Sequence, residues 1–106
     1  MNEINQPLLT ALYKCVIACN HCSVACLDEE NVKMMTECIK LDMDCSQICS
    51  LTAHLISRHS IHGKHLLLEC AEICEKCAEE CEKHTTMAHC KECAEICREC
   101  AQLCRI

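Results

Sequence analysis

Apolar residues recur along this chain at intervals of three and four, the period of an amphipathic helix, in four blocks parted by short polar breaks. The first block, Leu8 to Leu27, predicts a helix over about 7–28, with Pro7 suited to the first turn and Asn5 or Gln6 to the cap. Asp28-Glu29-Glu30-Asn31 interrupts the pattern, and a second helix is expected over about 32–58 with Asn31 as its N-cap. After a break from His59 to Gly63, a third helix is expected over about 63–83. His84-Thr85-Thr86 then turns the chain into a fourth, over about 87–104. Four helices with short connections pack most simply as an all-α, antiparallel up-down-up-down bundle, and 106 residues suit a single domain.

The inward period is carried by an unusual residue. Each helix bears the template C-x-x-x-C-x-x-C-x-x-x-C: Cys15/Cys19/Cys22/Cys26, Cys38/Asp42/Cys45/Cys49, Cys70/Cys74/Cys77/Cys81 and Cys93/Cys97/Cys100/Cys104. Only Asp42 departs from it, and Cys90 extends it. Cys70-Ala71-Glu72-Ile73-Cys74 recurs as Cys93-Ala94-Glu95-Ile96-Cys97, so the repeat unit is one helix. At about 100° per residue the four positions fall within a wedge of roughly 60°, and at about 1.5 Å per residue they form a stripe roughly 16 Å long. On the third helix Glu72, Glu75, Lys76, Glu79, Glu82 and Lys83 occupy the other surface, which turns the cysteine face inward.

Composition sharpens the question. There are 16 Cys, no Phe, no Trp and one tyrosine, Tyr13, so thiols must fill volume that aromatic rings usually occupy. An isolated buried Cys is usually a small core hydrophobe, but Ala, Leu or Val would fill four stripes without the oxidation liability. A net charge of −6 with scattered Lys and Arg excludes a nucleic-acid surface. Residues 1–7 lack a basic stretch leading into a long apolar one, and no segment is expected to reach the roughly 18 apolar residues of a membrane span. The chain is therefore expected in the cytoplasm, where disulfide staples are disfavoured and metal binding is the better use of thiols.

Zinc and iron–sulfur sites usually take their ligands from turns, whereas these ligands stand on regular helices, where each i,i+4 pair can hold an ion between two sulfurs. Soft thiolates select Cu(I). Charge points the same way: a dry core of thiolates needs nearly one positive charge per sulfur. Bridging Cu(I) at about one ion per cysteine supplies it, while zinc in four thiolates leaves two negative charges in excess. The expected function is storage of multiple Cu(I) ions. A zinc or cadmium buffer and a structural bundle with redox-active cysteines are the alternatives. An enzyme is not expected, since no nucleophile, general base and orienting group come together.

The two ends of the bundle should differ. Leu8, Leu12, Ile56 and Leu67 extend the stripes at one end and should plug it, beside His54, His59, His62 and His65, which are expected to be exposed. At the other end the stripes run into Met34 or Met35, His84 and Met87, with His89 beside Cys90. Thioether and imidazole bind Cu(I) without losing a proton at neutral pH, so Met34, His84, Met87 and His89 are the candidate mouth.

The run Cys70-Ala71-Glu72-Ile73-Cys74-Glu75-Lys76-Cys77-Ala78-Glu79-Glu80-Cys81-Glu82-Lys83-His84, followed by His89-Cys90-Lys91-Glu92-Cys93-Ala94, resembles the bacterial copper storage proteins, in particular their cytosolic branch. That resemblance implies a four-helix bundle assembled as a homotetramer, many Cu(I) ions held by the sixteen Cys thiolates, and His84 and its neighbours near the open end; copper donor or acceptor proteins are the partners expected of a store, besides the ions themselves. Asp42 departs from the repeat, and its part in such an array is open at this point.

Overall fold

The computed structural model describes residues 5–106. Residues 1–4, on which part of the reading of the N-terminus falls, lie outside the described residues. Helix α1 spans Gln6–Leu27, α2 Thr36–Ser57, α3 Gly63–Cys81 and α4 Ala88–Cys104. The Asn5 side chain accepts a hydrogen bond from the Leu8 N–H at 3.2 Å and, with Pro7 behind it, starts α1. Each helix packs against its neighbours in sequence and α1 closes the ring against α4, giving the antiparallel bundle, with principal extents of 51 × 18 × 17 Å.

The second helix does not begin as expected. Val32–Met35 is a 3₁₀ turn, and Asn31 makes no side-chain cap; its amide donates instead to Met34 Sδ at 3.0 Å. Met35, the last residue of that turn, belongs to the buried core with the cysteines. Met35 is accordingly 1% exposed and Met34 62%. A second 3₁₀ turn, Glu82–His84, stands where the last turn of the third helix was expected.

The α2–α3 connection is a Schellman turn. His59 N–H donates to Ile56 O at 3.1 Å and Ser60 N–H to Leu55 O at 2.9 Å, with His59 at φ 56°. Gly63 opens α3 beneath Ile56, where an added Cβ would lie 2.9 Å from Ile56 Cδ1. Leu8 and Leu12 are buried at this end and Ile56 and Leu67 pack partly against them. A cleft of about 370 Å³ remains, lined by Leu8, Ile56, Gly63 and Leu67 among others. His54, His59, His62 and His65 are all exposed.

One expectation is corrected by α1, which is long and apolar enough to cross a membrane by length and composition alone. The reason is that it is apolar on two faces. Its inward face carries Leu8, Leu12 and the four cysteines, which count as small hydrophobes, while Tyr13, Ile17, Val24 and Leu27 are exposed on the other. Within the bundle the inward face is fully used by the other three helices.

His59 is the one described non-glycine residue at positive φ, a conformation that costs an L-residue about 1 kcal/mol. His59→Gly is expected to stabilise the metal-free protein by about 0.5–1 kcal/mol in urea unfolding. A destabilised variant would contradict the turn described.

Candidate metal centre

All sixteen cysteines are buried and unpaired by disulfides. Because the stripes from four helices face one axis, sulfurs meet across helices as closely as along them. Cys15 Sγ lies 3.5 Å from Cys45 and 3.6 Å from Cys97, and Cys45 Sγ lies 3.5 Å from Cys74. Cys49 Sγ is 3.6 Å from both Cys70 and Cys74. The i,i+4 pairs are slightly longer, with Cys15–Cys19 and Cys93–Cys97 at 3.9 Å and Cys70–Cys74 at 4.0 Å. Sequence spacing revealed only those intrahelical pairs; the shorter contacts arise from packing.

Four-sulfur groups follow one another down the axis. Cys15/Cys49/Cys74/Cys100, Cys15/Cys19/Cys45/Cys97 and Cys19/Cys77/Cys93/Cys97 each place their ligand atoms within 4.8 Å of one another. They share corners: Cys15 belongs to the first two, Cys19 and Cys97 to the last two. A shared thiolate can bridge neighbouring soft ions, so the column suits a continuous array of them better than isolated centres. Cys104 closes the column beside Cys70 and Cys100, which are among the groups that perturb its thiol.

Asp42, absent from the ligands expected from sequence, stands inside this column and is fully buried. Its Oδ1 accepts from the thiols of Cys77 at 3.2 Å, Cys93 at 3.5 Å and Cys81 at 3.7 Å, and its Oδ2 from Cys38 at 3.9 Å. The signal was its template position, where an oxygen replaces a sulfur. It also forms a possible metal-holding group with Cys22, Cys38 and Cys81.

At the mouth, Cys22, Cys26, Cys90 and His89 form another such group. His89 Nδ1 lies 3.5 Å from the sulfurs of Cys22 and Cys90 and 3.9 Å from Cys26. Its Nε2 is 3.0 Å from Glu29 Oε1. Burial, followed by the charge of Cys38, pushes the Cys90 thiol up to about 12, and burial likewise raises Cys26. Cys26 and Cys90 therefore favour the thiol form, while hydrogen bonds from Cys22 and Cys81 pull the neighbouring Cys38 thiol down. The other candidates are placed differently from one another. Met87 packs partly against the core, His84 Nε2 is engaged by Glu80 Oε2 at 3.1 Å, and Met34 faces solvent.

Burial, and then the charges of Cys93 and Cys38, push the Asp42 carboxyl up to about 8. A carboxyl whose folded pKa lies above its unfolded value of about 3.9 stabilises the fold while protonated, and that contribution is lost as pH rises through the folded value. The melting temperature of the metal-free, reduced protein is expected to fall between about pH 5 and pH 8. Asp42→Asn should flatten that slope, and an unchanged slope in the variant would rule out Asp42 as its source.

The whole chain, residues 1–106, matches the family model described as copper storage protein. The fold is similar to a Cu(I)-bound copper storage protein, BsCsp3, at a TM-score of 0.92 and 38% identity, covering 97% of this chain and 96% of that one. It is also similar to the Streptomyces lividans copper storage protein Ccsp loaded with 10 copper equivalents, at a TM-score of 0.89 and 40% identity over 92% of this chain and 78% of that one. The uncharacterized cysteine-rich protein YhjQ of Bacillus subtilis (strain 168) is 38% identical over 75 residues, 71% of this chain and 69% of its own. Sulfur column, bundle and sequence thus agree, and the chain belongs to the copper storage protein family.

Proposed function

We propose that this chain stores multiple Cu(I) ions along its axis, at about one ion per cysteine, each ion entering as thiol protons leave. The observation that carries this reading is the sharing of corners between successive four-sulfur groups. Isolated sites would need no shared sulfur, whereas a bridged array neutralises a buried thiolate from two sides. The ligands proposed are Cys15, Cys19, Cys22, Cys26, Cys38, Cys45, Cys49, Cys70, Cys74, Cys77, Cys81, Cys90, Cys93, Cys97, Cys100 and Cys104, with His89 at the mouth and Asp42 within the column. Met87 and His84, at the rim, are proposed to receive copper ahead of His89. The whole chain acts as one domain that holds its cargo without turning it over.

The protein is proposed to work in the cytoplasm, in keeping with the Streptomyces lividans relative described as a cytosolic copper storage protein, and to exchange copper with donor and acceptor proteins there. It is further proposed to be a homotetramer. Tyr13, Ile17, Val24 and Leu27, at offsets of 4, 11 and 14 from the first, form an exposed apolar stripe opposite the cysteines of α1, of the kind that subunits cover in one another.

Anaerobic titration of the reduced protein against a Cu(I) competitor should saturate near one ion per cysteine, and saturation at one or two ions per chain would sink the storage reading. Replacing Cys93, Cys97, Cys100 and Cys104 together by Ala should lower capacity by about four ions with helicity nearly intact. Wild-type protein should elute with the mass of four chains. Ile17→Glu with Val24→Glu should shift it to smaller species while leaving copper capacity per chain unchanged, and a variant still tetrameric would remove α1 from the interface.

A further inference from the structure

Of the seven histidines, five are exposed; the two that are not, His84 and His89, are those whose Nε2 meets a carboxylate. At His89 this contact joins two elements distant in sequence. Glu29 lies in the α1–α2 connection, its own N–H bonded to Cys26 O at 3.2 Å, while His89 lies in the first turn of α4. The Glu29 carboxylate meets Nε2 at 3.0 Å from the solvent side, and the sulfurs of Cys22, Cys26 and Cys90 lie 3.5–3.9 Å from Nδ1 on the other. An ionised carboxylate only accepts, so the proton of the neutral ring resides on Nε2 and the Nδ1 lone pair faces the thiols.

We propose that Glu29 is a positioning residue: by holding Nε2–H of His89 it fixes the tautomer and ring orientation in which Nδ1 can take a Cu(I) ion and hand it to Cys22, Cys26 and Cys90. The proposal rests on the storage reading and names the part of the chain that governs its rate. Carboxylate–histidine–metal arrangements act in this way elsewhere, and loss of the carboxylate typically costs 10–100-fold in metal affinity or activity. Glu29 lies outside the sulfur column, so it governs how quickly ions enter and leave and not how many are held. The connection that carries it is short and polar, and nothing in its local sequence pairs it with a residue 60 positions later.

The test reads the ring without copper first. ¹⁵N chemical shifts of His89 in the reduced, metal-free protein should report a protonated Nε2 and an unprotonated Nδ1, while the exposed histidines average between tautomers. In Glu29→Ala, His89 should average as well. Uptake of the first Cu(I) equivalent from a chromophoric chelator complex should then slow by about tenfold, with unchanged final capacity and melting temperature. Glu29→Gln, whose amide oxygen can accept the same N–H, should recover most of the rate. In a His89→Ala background, Glu29→Ala should add nothing. A wild-type His89 protonated at Nδ1, an unchanged uptake rate in Glu29→Ala, or an equal loss in the His89→Ala background would each overturn the proposal. Because the tautomer is measured without metal, a failure of storage capacity and a failure of this positioning are separately visible.

Discussion

Sixteen thiols face one another in a core closed to solvent, and an ionised sulfur there is strongly disfavoured unless a cation lies beside it. The rest of the molecule follows from this. A thiol that keeps its proton behaves as a small hydrophobe, so the metal-free bundle can assemble on packing, with no aromatic core beyond one exposed tyrosine. When a soft monovalent ion enters, proton and ion exchange one for one and the column remains near neutrality. A divalent ion held by four thiolates would leave negative charge in the same dry space. The cargo is thus selected by charge as well as by softness.

The same constraint explains why the two ends are built differently. A column of thiols sealed at both ends could not exchange its contents, and one open at both ends would admit water and oxidants along its length. Leu8 and Leu12 close one end, with exposed histidines kept outside it. At the other, His89 Nδ1 lies 3.5 Å from the sulfurs of Cys22 and Cys90, behind the rim residues Met87 and His84 proposed to receive copper first. Imidazole can bind an ion without surrendering a proton, which removes a step at the point where ions first arrive.

Much of this was legible in the sequence because one physical rule governed it. Positions at offsets of 0, 4, 7 and 11 on a helix share a face whatever surrounds them, so four stripes, their inward direction and the four-helix architecture could be read directly. What was missed depends on departures from that regular helix or on distant contacts. Regular helical spacing leaves Met34 and Met35 both open as continuations of the second stripe; the fold buries Met35 and leaves Met34 at the surface, where Asn31 spends its amide on Met34 Sδ and not on a cap. The outer apolar face of α1 was visible as hydrophobic residues, but only the placement of the cysteines inward shows that Ile17 and Val24 stay exposed on it. Glu29 looked like part of a polar turn until the fold brought His89 to it.

Asp42 is where local pattern and packing have to be read together. As a sequence position it is a gap in the second stripe; in the fold its carboxyl touches sulfurs that belong to two parts of the column. Cys77 and Cys93 lie in a deep group with Cys19 and Cys97, while Cys38 and Cys81 lie with Cys22 on the mouth side. Asp42 therefore joins the two parts through oxygen. An oxygen is a harder donor than the sulfur it replaces and holds Cu(I) less well, so an ion passing this level meets weaker ligation than above or below it. A carboxyl that is neutral in the metal-free core and anionic once cations surround it also changes its own charge with loading, a capacity that a further thiol, already matched one for one, would duplicate without adding a distinct step between mouth and depth.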